Sequence, residues 1–170
     1  MARNVSKALF TLIFQKVHCS AMGGRDNGFG SNYVWAGSLE SGLQIATHHN
    51  KPVMLIIHKS WCSACKRLKP KFANSEEIQT LSKHFVMVNL VDDEEPKANG
   101  FSPDGAYIPR ILFISPNGNV DHDIYNEEGS NQHKYFYSKP DQIVKSMKKV
   151  LQKYKLETFD ENGKPIKQRV

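Results

Sequence analysis

Read for apolar and polar positions, the chain divides into short unbroken apolar runs separated by amphipathic stretches. From about Ser38, LESGLQIATHH has helical spacing that ends near Asn50, where Lys51-Pro52 breaks it. VMLII follows at Val53–Ile57, a continuous apolar run that suits a strand buried on both faces. Beyond Cys62 the pattern turns helical again, with Cys65, Leu68 and Phe72 on one face and Pro70 inside, where a kink is expected. Asn74 with Glu77 three residues on predicts an N-cap and a short helix to about Lys83. FVMVNLV at Phe85–Val91 reads as a second strand, followed by the acidic turn DDEEP and a Gly/Ser/Pro/Asp loop to Tyr107. Ile108-Pro109 leads into a third strand, RILFIS, and Asn117-Gly118 predicts a hairpin with a fourth, antiparallel strand over about Asn119–Tyr125. Ser138 with Asp141 opens a last helix whose apolar stripe is Ile143, Val144, Met147, Val150, Leu151 and Tyr154. This order predicts an α/β fold, a central mixed β-sheet flanked by helices.

Length refines the picture. At 170 residues the chain suits one domain, placed at 38–154, with an irregular lead-in at 22–37 and a polar tail at 155–170. The net charge of +6 raises the question of nucleic acid, but its location answers it. Residues 1–25 carry four Lys/Arg and no acid, and residues 139–170 carry nine Lys/Arg against four acids. The centre, 26–138, has ten basic and thirteen acidic residues. The predicted folded body is mildly acidic, so nucleic acid is excluded as a partner class. No apolar run approaches the roughly 18 residues of a membrane span, so no stable membrane insertion is expected. Residues 1–21 do have the order of a signal peptide: a basic start, the apolar ALFTLIF, and small residues at Cys19-Ser20-Ala21. Gln15, Lys16 and His18 interrupt that order, and the alternative is an N-terminal arm of a cytoplasmic protein. Cleavage after Ala21 would remove Cys19 and the Asn4-Val5-Ser6 sequon, leaving Cys62 and Cys65 as the cysteines of the mature chain.

Those two cysteines carry the candidate chemistry. They sit in HKSWCSACK, directly after the buried strand. A structural zinc site takes four ligands, usually as two such pairs, and no second CxxC or paired histidine spacing is present, so no metal is expected. A purely structural bridge between cysteines three apart closes a tiny loop and constrains the unfolded chain little. The third reading is a redox dithiol with CxxC at a helix N-terminus. Unpaired backbone N–H groups there stabilise an anion and should lower the pKa of the first cysteine, while the second, one turn on, can resolve a mixed disulfide.

WCxxCK after an apolar strand, with a later Ile-Pro before another strand, resembles the thioredoxin superfamily. GFG, HKSWCSACK, LKPKFA, FVMVNL, FSPDG, YIPRILF and KYFY, in order over about residues 28–154, resemble the endoplasmic-reticulum members grouped with the anterior gradient proteins. The resemblance implies a thioredoxin fold and thiol–disulfide exchange on protein substrates bearing disulfides or thiols. It also implies no bound cofactor, with glutathione as the candidate redox partner. It places the nucleophile at Cys62 and the resolving thiol at Cys65. Pro109, after Ile108, matches the cis-proline that abuts the dithiol and helps hold substrate backbone, and Trp61 matches the aromatic lid, with simple packing as an equal alternative.

Three departures qualify this. PVMLIIH lacks the buried acid that many thioredoxins place before the motif, leaving water, Lys59 or His58 as candidate proton acceptors for Cys65, with His58 more simply a strand-end residue. Ser63-Ala64 lacks the histidine of many oxidising isomerase sites, so a potential at neither extreme of the CxxC range is expected. The sequence ends KQRV where the family carries a KDEL-like signal, so the expected location is the endoplasmic-reticulum lumen or secretion, with the cytoplasm as the minority reading. Two functions follow: an oxidoreductase working through Cys62 and Cys65, or a thioredoxin-fold adaptor or secreted factor that binds clients with little redox turnover. Single-cysteine members of the group give the second its weight, and the intact pair favours the first. Oligomeric state is not legible in the sequence.

Overall fold

A computed structural model describes residues 24–155; the expected signal peptide at 1–21, Cys19 and the tail beyond Lys155 lie outside the described residues. Its elements are α1 (Leu39–His49), β1 (Val53–His58), α2 (Ser63–Ala73), α3 (Glu76–Ser82), β2 (Val86–Val91), β3 (Arg110–Ile114) and α4 (Pro140–Lys153). The sheet order is β2-β1-β3. β1 pairs with β2 in parallel, Val53 opposite Val86 through His58 opposite Val91, and with β3 antiparallel, Val53 opposite Ile114 through Ile57 opposite Arg110. This is the mixed sheet that the sequence predicts, in a thioredoxin fold.

The strands are continuous apolar runs because both faces are covered. Met54, Ile56, Met87, Ile111 and Phe113 face one core with Leu68 and Phe72 of α2, Ile78 of α3, and the α4 stripe Ile143, Val144, Met147, Val150 and Leu151. Val53, Leu55, Ile57, Val86, Val88, Leu90, Leu112 and Ile114 face the other, under Ile45 and Ala46 of α1. Gly42 belongs to the second layer: a Cβ there would lie 2.6 Å from Val88 Cγ2, so only glycine lets α1 come this close to β2. The irregular stretch before α1 is also core, with Phe29, Tyr33 and Trp35 buried against Phe72 and Trp35 forming a single bridge to Met87.

Three expectations need correction. The α3 cap is Ser75, whose hydroxyl accepts from Ile78 N at 3.3 Å, while Asn74 ends α2 and Glu77 reaches Lys148 of α4 instead. Pro70 sits within α2, which spans Ser63 to Ala73. No fourth strand forms among the described residues: beyond the Gly118 turn the chain makes a single bridge to the sheet, Val120 to Ile114, and a local one, Ser130 to His133. There the Asp121 carboxylate accepts from Lys153, Tyr154 and the Asp123 amide, which ties the chain beyond the turn to the end of α4 instead of into a continuing strand. The cap of α4 comes from Gln142, whose Oε1 accepts from the amides of Ser138 and Lys139, rather than from Ser138 with Asp141.

Candidate active site

β1 is the central strand, and its C-terminal end delivers the CxxC turn to one end of the sheet. Cys62 is the N-cap of α2, with extended backbone, and its Sγ accepts from Cys65 N at 3.1 Å. A cap sulfur on the first free amides of a helix is stabilised most as the thiolate. No acid stands in the first turn of α2 to oppose that effect. Cys62 and Cys65 are joined as a disulfide with Cα atoms 5.3 Å apart, and Cys65 is fully buried while Cys62 keeps 6% of its surface.

The other sequence-predicted residues gather around Cys62. Ile108 and Pro109 join through a cis peptide bond, and the Ile108 carbonyl oxygen lies 3.8 Å from Cys62 Sγ. Pro109 is buried and Ile108 half-buried beside the sulfur. Trp61 is 72% exposed and therefore does not pack into the core; it is a large apolar face standing free next to Cys62.

His58 is fully buried at the end of β1, on the face that α2 covers. Its tautomer follows from its neighbours. The Arg25 carbonyl can only accept, so Asn89 turns its amide nitrogen there at 2.9 Å and presents Oδ1 to His58 Nε2 at 3.3 Å and to Asn27 at 2.6 Å. Nε2 therefore carries the proton and Nδ1 is a bare acceptor with no hydrogen-bond partner among the described residues. Burial pushes the imidazole below its ordinary value, and the Asn89 contact, which acts the other way, does not restore it.

Lys59 is engaged by the acidic turn after β2. Its Nζ donates to the Asp92 carbonyl at 2.5 Å and pairs with Glu95 Oε2 at 2.9 Å. Glu95 also pairs with Arg110, whose side chain is completely buried. Asp92 and Glu95 both lie in the acidic turn after β2. Burial alone would raise the Glu95 carboxyl, but hydrogen bonds from Lys59 and Arg110 outweigh it and hold the group below the usual range. Asn89, Glu95 and Arg110 escape a motif reading because their side-chain ties include partners far along the chain, Arg25 64 residues from Asn89 and Glu95 15 residues from Arg110. The one local signal is an arginine heading the otherwise apolar run RILFI.

The chain is similar to known proteins. Residues 34–116 match the family model described as thioredoxin-like. Anterior gradient protein 3 of Mus musculus is 38% identical over 125 residues, 73% of this chain and 74% of the relative. Anterior gradient protein 2 homolog of Homo sapiens is 35% identical over 130 residues, 76% and 73% of the two chains. A thioredoxin from Thermus thermophilus superposes with a TM-score of 0.52 at 20% identity, covering 69% of this chain and 86% of its own. The structure titled DsbH Oxidoreductase gives 0.51 at 17% identity, covering 72% and 87%. At those identities the two structures speak for the fold.

Proposed function

This chain belongs to the thioredoxin-like family, among the anterior gradient proteins, and on that premise we propose that it is a thiol–disulfide oxidoreductase of the secretory pathway. The observation that carries the reading is Cys62 as the cap of α2, bonded to Cys65 and facing the Ile108 carbonyl at 3.8 Å. HKSWCSACK, FSPDG and YIPRILF also resemble thioredoxin domain-containing protein 12, an endoplasmic-reticulum member of this group, which supports a lumenal or secreted location.

In the reducing direction the Cys62 thiolate attacks one sulfur of a substrate disulfide. A Cys62–substrate bond forms as the substrate bond breaks, and the displaced sulfur leaves as a thiolate. Cys65 then gives up its proton and attacks Cys62 Sγ, closing the intramolecular bond and releasing the second substrate thiol. Two electrons pass from the dithiol to the substrate, and the reverse sequence oxidises a client. No carboxylate stands in β1 to take the Cys65 proton. His58 Nδ1, on the β1 face covered by the helix that carries Cys65, is the open acceptor of that layer. Glutathione regenerates the dithiol, two molecules yielding one glutathione disulfide. Trp61 and the Ile108–Pro109 backbone hold the substrate chain.

The deciding experiment equilibrates the protein in glutathione buffers and traps free thiols. A potential near about −180 mV matches the endoplasmic-reticulum poise of roughly −180 to −210 mV, whereas about −270 mV marks a thioredoxin-like reductant. Absence of any reversible couple removes the oxidoreductase reading and leaves the client-binding adaptor.

A further inference from the structure

We propose that Glu95 is a positioning residue which, with Lys59 and Arg110, holds the CxxC turn and the Ile108–Pro109 segment in fixed register for an extended peptide substrate. The proposal rests on the exchange reading above and names what sets its preference for polypeptide substrates. One wall of this clamp is the CxxC turn. Its entry is tied to the acidic turn three times: Ser60 N to Asp92 Oδ1 at 2.8 Å, Lys59 Nζ to the Asp92 carbonyl at 2.5 Å, and Lys59 Nζ to Glu95 Oε2 at 2.9 Å. The other wall is the Ile108–Pro109 segment. Arg110, the next residue, spends its whole guanidinium behind it, with Nε on the Phe101 carbonyl at 3.1 Å, one terminal nitrogen on the Tyr107 carbonyl and the other on Glu95.

Glu95 is thus the point where the frames behind the two walls meet, one carboxylate oxygen to each. A completely buried arginine is a costly way to stabilise a fold, because desolvation offsets most of the ion-pair attraction. Rigid, directional hold on a loop is what its planar fork supplies better than an apolar side chain. A wall displaced by a fraction of an ångström matters most to a ligand that must touch both walls at once. A peptide lying across Pro109 with its sulfur at Cys62 is such a ligand.

Lys59→Met opens the clamp on the dithiol side and leaves the buried Arg110–Glu95 pair intact, so folding is not at risk. The probes are an extended peptide disulfide for turnover and the same peptide with serine for cysteine, whose Kd is read from Trp61 emission. We expect Kd and KM to rise about tenfold, the loss of one charge-assisted contact, with kcat changed less than about twofold. Lys59→Arg should restore both constants. Unchanged Kd and KM in Lys59→Met overturn the clamp, and so does a fall in kcat at constant Kd, which would assign Lys59 to the thiol instead. If the wild-type protein fails to turn over the peptide disulfide, the exchange reading falls, while the Kd comparison still decides the clamp.

Discussion

At the scale of single residues, the two cysteines differ in setting, and each predicts a different outcome. Cys62 caps a helix at the surface and Cys65 is sealed beneath it. Cys65→Ser should therefore leave the first attack intact and stop resolution, so mass spectrometry should find a stable mixed disulfide on Cys62. An unmodified variant protein after incubation with a disulfide client would contradict the assignment. His58 predicts a pH dependence. Its folded pKa lies below the ordinary value of 6.5, so the unfolded chain takes up the proton first. The stability due to neutral His58 is then complete above pH 6.5 and is lost as pH falls through the folded value. His58→Gln should flatten that limb of a urea-denaturation series, with His84→Gln as control because burial lowers His84 too.

At the scale of elements, α1 tests whether helix propensity or packing rules. Gly42→Ala gains up to about 1 kcal/mol of intrinsic helix preference. The new methyl, however, meets Val88 Cγ2 at 2.6 Å, and overpacking of this kind costs roughly 1–3 kcal/mol. The expected result is a lower urea midpoint, and a stabilised variant would show that α1 can shift outward freely. Elements were legible where their periodicity was strong and their partners lay on both sides, as in β1, β2, β3 and the α4 stripe. The fourth strand misread a good turn signal because hairpin formation also needs a free chain beyond it, and Asp121 is held by Lys153 and Tyr154. The cap of α3 misread Asn74 for Ser75 because Glu77 has a distant partner, Lys148, that no local pattern contains. For the same reason Cys62, Cys65 and Pro109 stood out as candidates from short motifs, while Glu95 and Arg110 needed three dimensions.

At the scale of the whole molecule, Asp121 joins the last helix to the sheet. Its amide donates to Phe113 of β3 at 2.8 Å, and its carboxylate takes Tyr154 at 2.6 Å and Lys153 at 2.8 Å from the end of α4. Burial alone would raise this carboxyl, yet hydrogen bonds from Lys153 and Tyr154 hold it below its usual 3.8. Its contribution is present above pH 3.8 and is lost as pH falls through the depressed value. Asp121→Asn should cost about 1–3 kcal/mol at neutral pH and weaken the acid dependence, read by calorimetry from pH 7 down to about pH 2. An equal loss at every pH would separate the residue's packing from its charge.

The single rung of Trp35 on Met87 bears on something broader than the core it completes. A three-stranded sheet has two outer strands, and rows of unpaired amides on such strands invite other chains to stack on them. Here Ala36 occupies the Met87 carbonyl and the Glu94 side chain the Val91 amide on one margin, while Tyr135 and Asp121 occupy Ile111 and Phe113 on the other. Irregular chain thus blunts both margins against fibril-like growth. On the proposed exchange role, the same blunting would guard the protein against co-aggregating with its own substrates.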